Sequence, residues 1–172
     1  MVRGRKNPCY VSLPARLRKA RRAAGLPLRA LSVLAGLSHD TVRNIETAGS
    51  VPSIETVEKL ANTLKVAPQW LAFAEETTVA VSESMRYDGL ASRLAEARKQ
   101  SDLSLRTLGD KAGLPAGTVH AVERSKYVPS ITAVEKLAKA LGISPGWLAY
   151  GNGPDRLFEG RTSEDRLTID SE

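Results

Sequence analysis

The sequence predicts an all-α protein made of two tandem five-helix units. Three observations carry this. Apolar residues recur at the three-to-four spacing of a helix, and no stretch of any length shows the alternation of a strand. The chain repeats itself: the pattern from Leu13 to Phe73 returns from Leu90 to Tyr150 at a constant offset of 77 residues, without a gap. Roughly half of the paired positions are identical, well above what shared composition gives. Finally, 172 residues with 42% hydrophobic and only 5% aromatic content suit two small helical domains with Leu/Val/Ala cores.

The elements follow in order. Leu13, Leu17, Ala20 and Ala24 line one face of a first helix, which Gly25 ends. A second helix over Leu28–Ala35 is expected to bury Leu31, Leu34 and Ala35. Gly36 then turns the chain. Ser38 is the expected N-cap of a third helix, His39–Thr47, with Thr41 on its next turn and Val42 and Ile45 inward. Pro52-Ser53 starts a fourth helix, Ile54–Leu64, whose apolar stripe is Val57, Leu60, Ala61 and Leu64. Pro68 opens a short fifth helix with Trp70 and Leu71. The second unit repeats the set at Leu90–Gln100, Leu105–Ala112, Ala116–Arg124, Ile131–Leu141 and Pro145–Tyr150. Trp70 and Trp147 fall at equivalent positions and read as packing residues.

The second helix, glycine turn and third helix together form a helix-turn-helix. Small residues at Ser32 and Gly109 let the two helices approach, and Gly36 and Gly113 permit the sharp turn. Val42 and Val119 pin the third helix to the second. Such a set occurring twice in register is far more specific than one copy.

These units set the expected boundaries: a basic arm at 1–10, a first domain at 11–74, a linker at 75–87, a second domain at 88–151 and a polar, acidic tail at 152–172. The linker, which includes an extended-looking stretch at Val79–Val81, reaches about 45 Å at roughly 3.3 Å per residue. The formal charge is +6, distributed as +7 over residues 1–75, +2 over 76–152 and −3 over the rest. A basic balance of this kind favours a polyanionic partner. The single Cys9 excludes an intramolecular disulfide framework and suits a reducing cytoplasm. No apolar run spans a bilayer and no signal-peptide core is present, so no membrane association is expected. Two scattered histidines and one cysteine make no metal site, the glycines around Gly151–Gly153 read as a turn, and His39–Asp40 lies on an exposed helix end without a pocket. No cofactor, metal or enzymatic activity is expected.

Each unit resembles the Cro/C1-type (Xre) helix-turn-helix family of phage and bacterial repressors. Arg21, the run AGLSHDTVRNIE and the following PSIETVEKLANTL carry the resemblance, with their counterparts 77 residues on. It covers most of the chain. It implies a lambda-repressor-like five-helix domain whose third helix enters the DNA major groove. It also implies that Arg21 pairs with Glu46, and Arg98 with Glu123, inside the fold. These four are therefore structural, since a buried charge without its partner is costly.

The resemblance places Ser38, His39, Asp40, Thr41, Arg43 and Asn44 at the reading end of the first unit. Arginine can make a bidentate pair with guanine and asparagine with adenine. Ser38 and Thr41 suit phosphate or a thymine methyl, and Asp40 suits cytosine or the helix N-terminus. A solvated polar face is the alternative reading of these residues. The second unit departs from this pattern: Ala116, Gly117, His120 and Ala121 stand at the matching places, with Thr118 opposite Thr41. Its basic residues, Arg124 and Lys126, follow the helix beside Tyr127 and suit phosphate, which positions without specifying. Both units have leucine, Leu28 and Leu105, where the family often has a polar residue. Arg29 and Arg106 beside them are expected to supply the backbone contact. Arg3, Arg5 and Lys6 give the arm the chemistry to enter a minor groove; a solvated tail has the same composition.

The expected function is a sequence-specific transcriptional regulator, a repressor that binds double-stranded DNA at an operator and blocks polymerase. Two reading heads in one chain could cover an asymmetric or direct-repeat site with half-sites about 34 Å apart. Alternatively, the second unit dimerises and two copies of the first read a palindrome. The unequal surfaces favour this homodimer. The rival readings act through a protein partner, as an antitoxin or a mobile-element regulator does.

Overall fold

In the computed structural model, residues 8–75 and 87–151 are described. The arm residues Arg3, Arg5 and Lys6, the Val79–Val81 stretch and the 152–172 tail lie outside them. Unit one comprises α1 (Pro8–Ala23), α2 (Leu28–Leu34), α3 (Thr41–Thr47), α4 (Ile54–Leu64) and α5 (Pro68–Phe73). A short 3-10 turn, Tyr87–Gly89, leads into unit two: α6 (Leu90–Gln100), α7 (Leu105–Ala112), α8 (Ala116–Glu123), α9 (Ile131–Leu141) and α10 (Pro145–Tyr150). No strand occurs among the described residues, and no helix among them is long and apolar enough to cross a membrane.

The apolar faces of the two units join in one continuous hydrophobic cluster. Leu13, Leu17, Leu31, Val42, Ile45 and Leu60 are buried in the first, as are Leu90, Leu94, Leu108, Val119, Val122 and Leu137 in the second. Trp70 and Trp147 are half-buried against this cluster. Serine hydroxyls cap several helix starts, Ser53 among them as expected. Ser53 accepts from the Thr56 amide, Ser130 from Ala133 and Ser144 from Trp147. Such caps contribute about 1 kcal/mol each.

Several expectations are corrected. α1 starts at Pro8, inside the stretch read as arm, and stops at Ala23. Ala24 is therefore exposed in the turn, where the Leu26 amide bonds back to the Arg21 carbonyl and Gly25 sits at φ +66°. Leu34, expected in the core, is 63% exposed. At about 100° per residue, Ser32 and Ala35 lie to one side of Leu31 and Leu34 to the other. The narrow buried stripe of this seven-residue helix takes the first side. The repeat held the clue: the counterpart of Leu34 is Lys111. α3 starts at Thr41, two residues later than expected. Ser38 does not cap an amide with its side chain; its carbonyl accepts from the Thr41 amide and its hydroxyl meets the Thr41 hydroxyl at 2.7 Å.

The helix-turn-helix seam is closed differently in the two copies. In the first, Ser32 Oγ accepts from the Val42 amide at 3.2 Å and donates to the Leu28 carbonyl, so a buried hydroxyl stitches α3 to α2. In the second, Gly109 lets the backbone of the turn itself close against α7. A Cβ there would sit 2.7 Å from the Leu114 carbonyl oxygen and 3.2 Å from the Ala116 nitrogen, both backbone atoms that cannot swing away. Gly109→Ala is expected to lower unfolding stability by about 1–3 kcal/mol. A denaturant melt showing no loss would contradict the close approach.

The two units also pack on each other, chiefly through α5 against α10. The Ile54 amide bonds the Pro129 carbonyl, and the Ile131 amide bonds the Pro52 carbonyl, so that Ser53 faces Ser130 in an isolated antiparallel bridge. The linker ends are tied across as well. Glu75 accepts from Ser144 Oγ at 2.8 Å and from the Gly146 amide, and Glu58 accepts from the Tyr87 amide at 2.7 Å. Burial pushes the Glu75 carboxyl above its ordinary range, only partly offset by these bonds. A raised folded-state value favours the protonated form. Its stabilising effect is full below the unfolded value and fades as pH rises through the folded one. Glu75→Gln, which keeps one acceptor oxygen for the shorter bond from Ser144 and removes the charge, is expected to be neutral or slightly stabilising at pH 7. Its advantage over wild type should shrink as pH falls into the carboxylate range. A gap that widens on acidification would contradict this.

Candidate nucleic-acid interface

The candidate surface of unit one is positioned by the buried side of α3. Val42, Ile45 and Glu46 are buried, which fixes the helix and turns Arg43, Asn44 and Thr47 outward. Ser38, His39 and Asp40 are exposed in the turn before it, and Thr41 is half-buried at its first position. The structure thus brings Ser38, His39, Asp40, Arg43 and Asn44 onto one open surface. Arg43 Nη1 lies 3.5 Å from Asp40 Oδ1, with both side chains about two-thirds exposed at 65% and 69%. An ion pair so exposed contributes little and leaves the guanidinium available. Arg29 Nε approaches His39 Nδ1 at 3.3 Å, joining the start of α2 to the same surface.

Behind this surface, Glu46 is locked in place. Its side chain is 2% exposed and receives Arg21 through Nε at 2.7 Å and Nη2 at 2.9 Å, a bidentate fork. The Arg21 Nη1 also donates to the Leu26 carbonyl, tying the end of α1 to the pair. Unit two repeats the arrangement with Arg98 on Glu123 at 2.7 and 3.1 Å and on the Leu103 carbonyl at 2.8 Å. Each glutamate holds its arginine above the ordinary guanidinium value through these bonds.

Sequence reasoning missed two further arginine roles. Arg18 joins Glu46 at 3.3 Å and donates to its carbonyl. Its counterpart is Ala95, so the third member exists in unit one alone. Arg16 donates to the Leu71 and Ala72 carbonyls, and Arg93 to those of Leu148 and Ala149. These arginines close the carboxyl ends of α5 and α10, where carbonyls lack helical partners. The signal was available: an arginine stands at the same place between two buried leucines in both copies.

Unit two presents a different surface. Pro115, without a side-chain cap, precedes α8. Gly117 and His120 are exposed, and Ala116, Thr118 and Ala121 are half-buried. Arg124 and Lys126 are exposed just beyond the helix, around Ser125 at φ +54°, with Tyr127 49% exposed next to them. Arg106 is exposed at the start of α7, as Arg29 is on α2.

The helix-turn-helix family model HTH_3 matches the chain twice, over residues 17–71 and 94–148. The chain belongs to this helix-turn-helix family. Both matches lie within the units described above, in agreement with the Cro/C1-type resemblance of the sequence. Among curated relatives, the HTH-type transcriptional regulator PrtR of Pseudomonas aeruginosa is 36% identical over 66 residues, covering 38% of this chain and 25% of PrtR. The HTH-type transcriptional regulator PuuR of Escherichia coli is 37% identical over 62 residues, covering 35% of this chain and 34% of PuuR. The match thus spans about a quarter to a third of these relatives. Solved structures that resemble it include the restriction-modification controller protein C.AhdI of Aeromonas hydrophila, 39% identical with a TM-score of 0.34, over 34% of this chain and 89% of that one. The N-terminal DNA-binding domain of SinR from Bacillus subtilis is 31% identical with a TM-score of 0.34, over 35% and 88%.

Proposed function

We propose that this protein is a sequence-specific DNA-binding transcriptional regulator that represses by occupying an operator, without catalysis. The observation that carries this is the surface around α3. Arg43 and Asn44, two side chains suited to base edges, stand exposed on a helix whose opposite side is anchored by Val42, Ile45 and the Arg21–Glu46 fork. The names of PrtR and PuuR, both transcriptional regulators, support it. In this reading Ser38, His39, Asp40, Thr41, Arg43 and Asn44 meet bases and adjacent phosphates. Arg29, Arg106, Thr118, His120, Arg124 and Lys126 meet the backbone. Domain one is 11–74, domain two 88–151, and the protein acts in the cytoplasm. Two helix-turn-helices share one site, supplied by a homodimer or by one chain.

The test is selection of duplexes from a random library by the full chain, followed by titration. The expected result is an enriched sequence bound about 1,000-fold or more tightly than random duplex, with affinity falling steeply in salt. Equal affinity for all sequences, or no binding, would overturn the reading. One observation favours a second reading through a protein partner: Val33 and Leu34 are 52% and 63% exposed on α2. A co-purifying protein lost on Leu34→Lys, with no duplex enriched, would support it.

A further inference from the structure

The contact between the two units has the form of a two-fold dimer interface. The Ile54 amide bonds the Pro129 carbonyl and the Ile131 amide bonds the Pro52 carbonyl, so the bond made from one unit is returned by the residues 77 positions on. Ser53 faces its counterpart Ser130, and the Phe73 ring lies 6.4 Å from that of its counterpart Tyr150. Residues that meet their own equivalents mark a two-fold axis, the signature of an isologous interface. Here both halves belong to one chain.

The interface is nevertheless fitted to unlike partners. α5 and α10 read PQWLAF and PGWLAY, differing only at Gln69/Gly146 and Phe73/Tyr150. Both differences fall on the axis. A Cβ at Gly146 would lie 2.8 Å from Gln69 Cβ and would also strike the Glu75 carboxylate. The site therefore holds one glutamine and one glycine, and a pair of first units would bring two glutamines there. Tyr150 donates its buried hydroxyl to the Ile54 carbonyl at 3.1 Å, a bond that Phe73 cannot return. Glu75 bonds Ser144 and Gly146, whereas the matching places in unit one are Ala67 and Gln69.

We propose that this protein is its own dimer: a single chain sets both helix-turn-helices on one duplex, reading sequence under α3 and holding backbone under α8. The DNA part rests on the function proposed above. Rotation about a two-fold axis preserves height along it, so α3 and α8 sit at the same level and can meet the same side of a ligand. Because only α3 carries an arginine and an asparagine on its exposed face, the bound site is asymmetric and the protein binds in one orientation. The pairing of unit two with unit one replaces the pairing of two chains.

Sedimentation of the full chain, alone and with the duplexes it selects, tests this. The expected results are a free mass of 18.5 kDa, one chain per duplex at saturation, and a selected site with one constrained half and one unconstrained half. Gly146→Gln, which brings a second glutamine to the axis, should weaken binding about tenfold by losing the preset spacing. Asn62→Gln, exposed on α4 and outside the residues assigned to DNA or to the axis, should leave mass, melting and binding unchanged and so controls for a general cost of glutamine. Two chains per duplex on an inverted repeat with both halves constrained would overturn the proposal, as would a free mass twice that of the chain. A monomeric chain that enriches no duplex would instead overturn the DNA reading and leave the pairing of the units standing.

Discussion

Arg98→Ala is expected to cost unit two about 3 kcal/mol, at the low end of the range for removing one partner of a buried ion pair. Glu123 has a side chain only 11% exposed and accepts two bonds from Arg98. The variant strands that charge and also leaves the Leu103 carbonyl without its donor. Arg21→Ala makes the same deletion in unit one but should cost less. Glu46 is more deeply buried, at 2%, which raises the stakes, yet Arg18 stays at 3.3 Å and is free to close on it. Ala95 gives Glu123 no such substitute. Denaturant melts of the two variants decide it. Arg98→Ala within 1 kcal/mol of wild type (roughly a fivefold change in the folded ratio), or Arg21→Ala as the costlier change, would show that solvent already compensates these carboxylates.

The difference between these two sites was half-legible in the sequence. Arg21 with Glu46 and Arg98 with Glu123 followed from the family resemblance and are found paired. Arg18 did not, because nothing local separates an arginine that turns inward from one on a solvated face. Helix limits after proline or serine, such as Ile54–Leu64 and Pro145–Tyr150, were readable because the cap and the apolar stripe agree. Leu34 was misread because a seven-residue helix has too few turns to define its buried side, and only Lys111 in the other copy shows it. The interface between the units was invisible for a different reason. Ser53, Phe73, Ser130 and Tyr150 satisfy local roles as caps and helix ends, and their contact joins residues 77 apart. The glutamine-to-glycine change between otherwise matching helices was the trace it left.

On the reading surface, the Arg43→Ala/Asn44→Ala double variant is expected to lose about 2–6 kcal/mol of discrimination between a selected duplex and a random one, from about 1–3 kcal/mol for each bidentate base contact. Both side chains are exposed and the Arg43–Asp40 pair is solvated, so melting should be unchanged. Arg124→Ala/Lys126→Ala should behave differently. Those residues lie beyond α8, whose matching base-facing places hold Ala116, Gly117 and Ala121. Their loss should weaken binding to all duplexes alike and lower the salt slope by about 2, one for each phosphate contact. Titrations of both variants on selected and random duplexes at several salt concentrations separate the effects. Equal loss of discrimination in both would mean that unit two reads bases through its flanking basic residues, and the division into one reading head and one holding head would fail.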